Sequence, residues 1–357
     1  MLGDIFKKVI MKKILFVSPV RFDALKQRHQ GLALELSKYG YFVYFLNPVT
    51  SNGFQSVEKT DKLTSNIKII DIKIPFKAVS YPIIQNFAIS LTFKLLKKKL
   101  HIDPENCILW LAEPSCAKLV DYNWKKIIYD CCDLHGFFPN QKKRVWQEYE
   151  EKITNNASLI TFSHPYIKEH FNKEIQKKSL LIPNATFFKM ENNQKSFTNE
   201  EKIKFLSSGA HYEWVDIDWL KMIAALDNVE LHIAGKGRGK AFNQLISLKN
   251  VKFHGELNKD QLFKLMKECQ IGLIPFKDIE LIKGVDPIKA YDYAAAGLEI
   301  WAPDVKAFYS NKYINSFIKD VDSANEALKN LIDNKKEHCL FEIPTWEERI
   351  KEILKYL

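Results

Sequence analysis

In the second half of the chain, short apolar runs alternate with segments whose apolar residues recur every three or four positions. The first pattern predicts buried strands, and the second predicts amphipathic helices. Strands that alternate with helices in this way are typical of a parallel, doubly wound α/β sheet. The predicted strands are 204–209, 229–235, 251–255 and 271–276, and the predicted helices are 216–226 and 260–269.

Glycine or proline stands at or near the end of each predicted strand. In a doubly wound sheet, ligands bind outside the carboxyl ends of the strands. The pattern therefore predicts a ligand site formed by the turns that follow the strands. The residues at these turns are Gly209, Gly235, Gly255 and Pro275.

The segment 284–297 predicts a helix suited to a phosphorylated ligand. Asp286 is a favourable N-cap and Pro287 fits the first helical position, so the N–H groups of the first turn would point outward. Lys289 and Asp292 share one face of this helix. A helix N-terminus with a lysine in its first turn suits a diphosphate, and a carboxylate one turn later can accept hydrogen bonds from a ribose diol. The alternative is a surface helix with a salt bridge between these two residues.

Several linked motifs extend across nearly the whole chain. They are Gln-Arg-His-Gln-Gly-Leu-Ala at 27–33, Tyr-Asp-Cys-Cys-Asp at 129–133, Ser-Gly-Ala at 208–210 and Asp-Pro-Ile-Lys-x-Tyr-Asp-Tyr at 286–293. Together they resemble the GT-B glycosyltransferases, and in particular the bacterial cell-surface polysaccharide group that includes the teichuronic-acid-type enzymes. His29 departs from the proline that this group usually carries. The resemblance implies an α/β protein with two Rossmann-like doubly wound domains that face each other across a cleft.

The chain is expected to divide into two domains and a terminal helix. Residues 11–187 are expected to form the acceptor-side domain, and residues 201–335 the nucleotide-sugar-binding domain. The polar, aperiodic segment 189–200 is interpreted as the linker. A predicted capping box at 345–348 opens the last helix. The resemblance implies that this terminal segment, 340–357, packs back on the N-terminal domain.

The resemblance also implies a donor site in the second domain. Lys289, the turn at Gly209 and the amides after Asp286 are expected to hold the diphosphate, as helix dipoles and cations do in this fold. Asp292 is expected to hold the ribose, and the turns after 251–255 and 271–276 are expected to face the nucleobase. The predicted donor-site residues are Gly209, Gly255, Leu257, Pro275, Asp286, Lys289 and Asp292.

No metal ion and no cofactor is expected, and the nucleotide-sugar donor is a substrate. Asp216-Ile-Asp218 resembles the metal-binding Asp-x-Asp of the other glycosyltransferase fold, but Asp216 is better explained as the N-cap of the following helix. Lys236, Arg238 and Lys283 are weaker candidates for the diphosphate, because basic residues are common in the loops of such a basic chain.

Asp133 is the predicted catalytic base. It follows the predicted strand 126–129, and the resemblance places an acidic residue at this strand end. The alternative is an aspartate that caps or solvates the turn. Asp130 and His135 are the other candidate bases. A histidine would need no raised pKa to act at neutral pH, whereas partial burial would help Asp133.

The candidate acceptor-binding residues lie beyond other strands of the first domain. Glu113 ends a strand near the same edge as Asp133. Arg28 and His29 follow the first strand, where a phosphate or sugar of the acceptor could be held, although Arg28 could equally cap its own helix. The expected acceptor is a growing surface glycan or a polyprenyl-linked glycan.

The spacing of acidic residues bears on stereochemistry. Retaining GT-B enzymes often carry a second acidic residue eight positions before the one that corresponds to Asp292, and this chain has Gly284 there. The sequence therefore favours inversion with Asp133 as the base. Two alternatives remain: a sugar-nucleotide 2-epimerase of the same fold, which the acceptor-side motifs disfavour, and a non-catalytic nucleotide-sugar-binding subunit, which the missing acidic pair favours.

Composition adds limits on class and compartment. A chain of 357 residues suits two domains. The net charge of +10 is the one feature that would suit nucleic acid, and the sequence contains no motif of basic and aromatic residues. No nucleic-acid partner is therefore expected. The six cysteines show no CxxC spacing, and no signal peptide or spanning segment is evident, which indicates a reduced, cytoplasmic protein. Met11 looks like a natural start, so residues 1–10 are interpreted as an extension.

The segment 83–100 predicts a helix with two apolar stripes, although one would suffice for packing. Its lysines cluster near the end. This pattern predicts an interfacial helix that binds an anionic membrane surface, with the protein peripheral on the inner face of the cell membrane. The alternative is a buried helix with a solvated lysine tail. The stripes are Ile84, Ala88, Leu91 and Leu95, and Ile89, Phe93, Leu96 and Leu100, and the lysines are Lys94, Lys97, Lys98 and Lys99.

Overall fold

A computed structural model describes residues 11–50, 55–60, 64–74, 78–190, 197, 202–333 and 342–357, with the backbone alone described for 55–60. Within these ranges the chain forms two compact units. The first comprises the described residues up to Phe162 together with Ile167–Leu181 and Ile353–Leu357. The second comprises the described residues of Ser163–Tyr166 and Ile182–Glu352.

The first unit is built on a sheet to which the described residues contribute eight strands. These are β1 Lys13–Val17, β2 Phe42–Leu46, β3 Gln55–Thr60, β4 Ile67–Lys73, β5 Cys107–Leu111, β6 Lys126–Cys131, β7 Leu159–Phe162 and β8 Ser179–Leu181. Their order is β3-β4-β2-β1-β5-β6-β7-β8, and every pair is parallel except β3 with β4. The α-helices are α1 Arg28–Lys38, α2 Pro82–Leu100, α3 Lys143–Asn156, α4 Pro165–Glu169 and α5 Lys173–Lys177. The first two residues of α4 belong to the second unit.

Aromatic side chains link the central strands of this sheet. Phe16 on β1 lies opposite Phe45 on β2 and Trp110 on β5. Its ring is stacked on both neighbours, with a centroid distance of 5.4 Å to each. Cross-strand aromatic pairs stabilise a sheet beyond the burial of their area. The stack therefore helps to set the register of β2, β1 and β5.

The second unit carries a parallel sheet with the strand order of a dinucleotide-binding domain. Its strands are β9 Ile203–Ser208, β10 Val229–Ala234, β11 Val251–Gly255, β12 Ile271–Leu273, β13 Glu299–Pro303 and β14 Ser316–Ile318. Their order is β11-β10-β9-β12-β13-β14. The α-helices are α6 Ile217–Ala224, α7 Lys240–Ile246, α8 Lys259–Glu268, α9 Glu280–Lys283, α10 Ile288–Ala295, α11 Val321–Asp333 and α12 Trp346–Leu354. The last two residues of α12 belong to the first unit.

The order of strands identifies the expected ligand crevice in each sheet. In the second unit the winding reverses between β9 and β12, and in the first between β1 and β5. Crevices open at the carboxyl ends of strands where the winding reverses. The prediction of doubly wound parallel sheets is therefore confirmed, although β12 is shorter than predicted and the antiparallel β3 was not expected.

Two predicted helix caps are confirmed. The Asp216 carboxylate accepts a hydrogen bond from the Trp219 N–H at 2.9 Å, so Asp216 is the N-cap of α6. At the start of α12, the Glu348 carboxylate accepts from the Thr345 N–H at 2.7 Å, and the Thr345 hydroxyl accepts from the Glu348 N–H at 3.4 Å. Both caps satisfy backbone donors that the helix itself leaves open.

The division into units differs from the expected boundary at 187. Residues 182–187 belong to the second unit, because Asn184 and Thr186 bond to side chains of that unit. The predicted linker 189–200 lies mostly outside the described residues, as do positions 334–341 around the expected end of the donor domain. Residues 353–357, at the end of the terminal segment, group with the first unit.

Helix α2 has one buried stripe rather than the two predicted. Ile89, Phe93, Leu96 and Leu100 are buried as expected. In the other stripe only Ala88 is buried, and Ile84 is 44% exposed. Within the described ranges, no helix is both long and apolar enough to cross a membrane.

Candidate donor and acceptor sites

The turns after β9, β10 and β11 are joined by backbone hydrogen bonds. The Gly209 N–H donates to the Ala234 carbonyl at 2.9 Å, and the Gly235 N–H donates to the Gly255 carbonyl at 2.6 Å. Gly209 and Gly235 adopt φ values of +107° and +118°, which favour glycine. A Cβ on Gly235 would lie 2.0 Å from the Gly209 carbonyl oxygen. The close approach of these turns therefore requires glycine at 235.

Lys289 projects from the first turn of α10 toward these turns. Its Nζ would lie 3.7 Å from a Cβ placed on Gly209, and it sits 4.8 Å from the centroid of the Phe276 ring. Lys289 forms no ion pair among the residues that the structure describes. Burial lowers its pKa to about 8. The result is a partly buried ammonium without a neutralising carboxylate, which is a favourable place for an anion.

The other candidate cations are already paired on the surface. Lys236 lies 3.0 Å from the Glu256 carboxylate and Lys283 lies 2.8 Å from the Glu280 carboxylate. Arg238 pairs with Glu213 at 2.6 Å. Exposed ion pairs of this kind contribute little to stability, because water solvates both charges. Lys289 is therefore the stronger candidate for a diphosphate.

Three side chains that the sequence analysis missed hold the Gly209 turn in place. Ser207 and the ring Nε2 of His211 lie 2.8 Å apart, and the His211 N–H donates to the Lys236 carbonyl at 2.7 Å. Burial, with a smaller effect from the Lys289 charge, lowers the pKa of His211 to about 3, so the ring is neutral. The Tyr293 hydroxyl accepts from the Ser208 N–H at 2.9 Å. The sequence signal for the first two was the presence of polar residues on both sides of Gly209, at the end of a predicted strand.

The structure corrects the role predicted for Asp286 at the start of α10. The helix begins at Ile288, and its N-cap is Pro287, which makes no side-chain cap bond. The Asp286 carboxylate instead accepts from the Asn184 N–H at 2.6 Å and from the Tyr291 hydroxyl at 2.9 Å. Asp286 therefore anchors the segment around Asn184, and the prediction of an N-cap was wrong.

Asp292 is also tied to this segment. Its carboxylate is buried and accepts from the Thr186 hydroxyl at 2.7 Å. Burial raises its pKa to about 7, against the effect of hydrogen bonds from Thr186 and the Phe187 backbone. There is no salt bridge to Lys289 in the described part of the chain, so the alternative of a surface ion pair is wrong.

The residues expected near the nucleobase lie at the ends of β11 and β12. Gly255 has a φ of +64°, and a Cβ there would meet no atom within 4 Å. Leu257 is partly buried against the core. The carbonyl oxygen of the buried Pro275 accepts a hydrogen bond from the Asp216 N–H at 2.7 Å. This bond fixes the turn before Phe276. These turns lie on the carboxyl edge of the sheet, as predicted from the strand ends.

In the first unit, Arg28 and Asp130 form a buried ion pair. Nη2 of Arg28 lies 2.7 Å from Oδ1 of Asp130, and the two side chains are 2% and 0% exposed. The Thr161 hydroxyl donates to the same carboxylate at 2.6 Å. Burial alone would raise the pKa of Asp130, but Arg28 and Thr161 hold it below its ordinary value. The structure therefore argues against Asp130 as the base and against Arg28 as an acceptor ligand, because reaching an acceptor would break this pair.

Asp133 lies just beyond the carboxyl end of β6 and is partly exposed. Its Oδ2 accepts a weak hydrogen bond from the Cys132 thiol at 3.6 Å, and the same sulfur lies 3.6 Å from Nε2 of His29. Burial raises the pKa of Asp133, with a smaller opposing effect from His135. A partly exposed carboxyl with a raised pKa has the properties of a general base.

The two histidines near Asp133 are both buried. His29 is neutral, because burial lowers its pKa to about 4. The His135 ring is stacked on Trp146 with a centroid distance of 5.2 Å. Neither Nδ1 of His29 nor Nε2 of His135 has a hydrogen-bond partner among the described residues. Their burial makes both better suited to shaping the surroundings of Asp133 than to meeting an acceptor directly.

Glu113 lines a small pocket where β1 and β5 end. Its carboxylate accepts from the Ser115 N–H at 3.0 Å, which caps a 3₁₀ helix at 114–121. Ser18, after β1, and Gln85, on α2, line the same pocket. The pocket lies where the winding of the first sheet reverses, the position expected for a ligand. In the described part of the chain, no group of three or more metal-ligating side chains comes together.

Solved structures match the fold over nearly the whole chain. Sucrose-phosphate synthase from Thermosynechococcus elongatus has a TM-score of 0.66 at 13% identity, covering 97% of this chain and 94% of that chain. UDP-GlcNAc 2-epimerase from Neisseria meningitidis, bound to UDP-GlcNAc, has a TM-score of 0.53 at 11% identity, covering 96% and 99%. At these identities the matches establish the fold alone. The chain has the GT-B fold of two parallel-sheet α/β domains, as predicted.

A relative found by sequence indicates which group of GT-B proteins the chain resembles. A Bacillus subtilis (strain 168) protein, provisionally named teichuronic acid biosynthesis glycosyltransferase TuaH, is 24% identical over 216 residues. The match covers 54% of this chain and 54% of the relative, so the chain spans about half the length of that protein. The predicted resemblance to the teichuronic-acid-type group is confirmed. No protein-family model matches the chain.

Proposed function

We propose that this protein is a glycosyltransferase that moves a sugar from a nucleotide-sugar donor to a growing surface glycan or a polyprenyl-linked acceptor. The name of the B. subtilis relative supports the class of acceptor, and the UDP-GlcNAc bound to the epimerase supports the class of donor. The observation that carries the proposal is the Lys289 ammonium, which lies beside the Gly209 turn without an ion pair among the described residues. A nucleotide diphosphate would supply the missing negative charge.

The proposed reaction is a single displacement. Asp133 takes the proton of the acceptor hydroxyl while that oxygen forms a bond to C1 of the donor sugar. The bond between C1 and the diphosphate oxygen breaks, and the nucleotide diphosphate leaves with the electron pair. The charge of Lys289 and the first-turn N–H groups of α10 stabilise the leaving group as its charge develops. One displacement inverts the anomeric configuration, and Gly284 in place of a second acidic residue supports inversion.

We propose that this reaction needs no metal ion and no further cofactor. Lys289 and the N-terminus of α10 supply the positive charge that a metal would otherwise bring to the diphosphate. Treatment with a chelator should therefore leave the rate of transfer unchanged. A loss of activity that manganese or magnesium restores would contradict this part of the proposal.

The test of the proposed function is the variant Lys289→Ala. We expect kcat/KM for the donor to fall by about 10²-fold or more and kcat to fall with it, because the charge assists the leaving group most in the transition state. Lys283→Ala is the matched control, since Lys283 is also a lysine near α10 but pairs with Glu280. An unchanged kcat/KM for Lys289→Ala would refute the assignment of the donor site.

A sugar-nucleotide 2-epimerase is the second candidate, because the N. meningitidis epimerase shares the fold over nearly the whole chain. A transferase releases nucleotide diphosphate in proportion to added acceptor, whereas an epimerase changes the sugar without an acceptor. Conversion of the donor sugar without acceptor would favour the epimerase. Donor binding with neither reaction would indicate a non-catalytic subunit.

We also propose that the protein works in the cytoplasm, the compartment that supplies nucleotide sugars. Burial raises the pKa of the adjacent thiols Cys131 and Cys132 well above the ordinary value. Thiols that stay protonated react slowly with oxidants and disulfides. These buried thiols are compatible with a reducing compartment.

A further inference from the structure

The N-terminal part of α2 exposes a cluster of large apolar side chains. Tyr81, Ile83, Ile84 and Phe87 are 60%, 86%, 44% and 62% exposed. We call these four residues the apolar patch. Single exposed apolar residues are ordinary, but several adjacent ones usually mark a binding surface.

Packing of the helix does not require this patch. The opposite face of α2 is buried, and Phe93 on that face contacts Tyr122 and Trp124 with ring centroids at 4.0 and 5.4 Å. The helix is therefore anchored to the first unit through its other face. The apolar patch lies on the exposed face of the helix.

Basic side chains continue the same face and surround the patch. Lys94 and Lys98 are exposed and lie about two and three turns beyond Phe87 on the same side of α2. Nζ of Lys142 lies 4.9 Å from the centroid of the Tyr81 ring. The sequence contains no acidic residue between positions 71 and 103. The surface thus combines apolar side chains with positive charge.

We propose that this face docks on an anionic lipid bilayer. The apolar patch enters the interfacial region, and Lys94, Lys98 and their neighbours bind lipid phosphates. A second copy of the chain is a poorer occupant, because two such positively charged faces would repel each other. The proposal rests on the proposed function in one respect: a polyprenyl-linked acceptor lies in such a bilayer. Gln85, on the same helical turn as the patch, lines the pocket at Glu113.

Vesicle binding tests this proposal without donor or acceptor present. The full chain is sedimented with vesicles of phosphatidylglycerol and phosphatidylcholine, and with vesicles of phosphatidylcholine alone, at low and high salt. We expect the wild-type protein to bind the anionic vesicles and to release them at high salt. The double variant Ile83→Ser, Phe87→Ser should reduce the partition coefficient by about tenfold or more. The triple variant Lys94→Gln, Lys97→Gln, Lys98→Gln should do the same and weaken the salt dependence.

Two matched variants in the second unit serve as controls. Leu248→Ser, Val321→Ser removes exposed apolar side chains, and Lys240→Gln, Lys249→Gln, Lys329→Gln removes exposed charges. Neither set should change vesicle binding. Equal losses in the control and α2 variants would overturn the proposal, because binding would then follow net charge or general apolarity.

Other outcomes separate this proposal from the proposed function. Sugar transfer to a water-soluble acceptor by a protein that ignores anionic vesicles would refute docking and leave the transferase intact. Vesicle binding by a protein that binds no nucleotide sugar would refute the transferase and leave docking intact. A dimer in light scattering that Ile83→Ser, Phe87→Ser converts to a monomer, without vesicle binding, would show that the patch joins two copies of the chain.

Discussion

At the scale of single residues, buried charges differ in whether a partner accompanies them. Arg28 and Asp130 are buried together with several hydrogen bonds between them. Lys289 is desolvated beside a phenylalanine ring, and its pKa falls to about 8. Breaking a buried pair lowers the free energy of unfolding. A ligand that neutralises a lone desolvated charge instead stabilises the folded protein. This contrast separates the structural charges of the protein from those available for chemistry.

Asp133→Asn should remove the base and leave donor binding unchanged. We expect kcat to fall by roughly 10²–10⁴-fold, since an amide cannot accept the proton of the acceptor hydroxyl. Single-turnover kinetics and isothermal titration with the donor would measure the two effects. Asp130→Asn is the comparison: it leaves the Arg28 charge buried and should lower the free energy of unfolding by about 3–5 kcal/mol. Full activity in Asp133→Asn would exclude this residue as the base.

The pKa of Lys289 predicts the alkaline limit of donor use. Below pH 8 the free protein carries the ammonium, and above that pH the charge is lost. We therefore expect kcat/KM for the donor to decline above about pH 8, by up to tenfold per pH unit. A bound diphosphate favours the charged form, so kcat should decline at higher pH than kcat/KM. In Lys289→Arg, which retains its charge, the alkaline decline of kcat/KM should move upward, and an unmoved profile would contradict the assignment.

At the scale of elements, α10 is held by a segment that lies about a hundred positions earlier in the sequence. Asn184 contacts Asp286, just before the helix, and Thr186 contacts Asp292 within it. These bonds fix the orientation of the turn that carries Lys289. The helix therefore positions the donor site through contacts with residues 182–187 as well as through its own backbone.

Asp292→Asn should raise stability at neutral and alkaline pH. The pKa of Asp292 is about 7 in the folded protein, compared with an ordinary 3.8. The favourable effect of the proton on folding is complete below pH 4 and is lost as the pH rises to about 7. The asparagine keeps the acceptor for Thr186 and carries no charge, so the melting temperature at pH 8 should exceed that of the wild type by roughly 2–4 °C. The difference should narrow at pH 5.

The same variant tests the proposed contact with the ribose. If the ionised carboxylate accepts hydrogen bonds from the ribose diol, donor affinity should fall in Asp292→Asn even though stability rises. Titration calorimetry at pH 8 would show whether the two effects separate. Lower stability at pH 8 would mean that the carboxylate is not penalised by burial, contrary to the raised pKa.

At the scale of the whole molecule, the order of strands determines where ligands are expected. The second sheet reverses between β9 and β12, and the Gly209 turn and Pro275 follow these strands. The first sheet reverses between β1 and β5, where Glu113 and Ser18 line a pocket. Each unit therefore has its own candidate crevice at a place that the fold prescribes.

A nucleotide-sugar donor should raise the melting temperature of the whole protein. A ligand that binds only the folded state contributes about 2.7 kcal/mol at a concentration one hundred times its Kd. Scanning fluorimetry with a panel of nucleotide sugars would measure the rise and identify the base and sugar. Lys289→Ala should reduce the shift and Lys283→Ala should retain it. A panel without any shift in the wild type would count against a donor site.

The local parts of this structure could be predicted from the sequence. Apolar periodicity predicts β9, β10 and β11, and the caps at Asp216 and 345–348 lie where single residues indicate them. Such features depend on residues a few positions apart, whose preferences a linear pattern records directly. The motifs at 129–133 and 286–293 likewise indicate the GT-B fold, because each is a short run of adjacent residues.

Only the tertiary structure decided which polar side chains are available. Arg28 and Asp130 are 102 positions apart, and Thr186 and Asp292 are 106 apart, so no local pattern shows that these residues meet. The same holds for Lys289, whose exposure to an anion depends on Gly209 and Phe276. A charged residue in a sequence has the same letter whether folding pairs it, buries it alone or leaves it in water. Its energy, and therefore its role, depends on long-range contacts and on the water that folding removes.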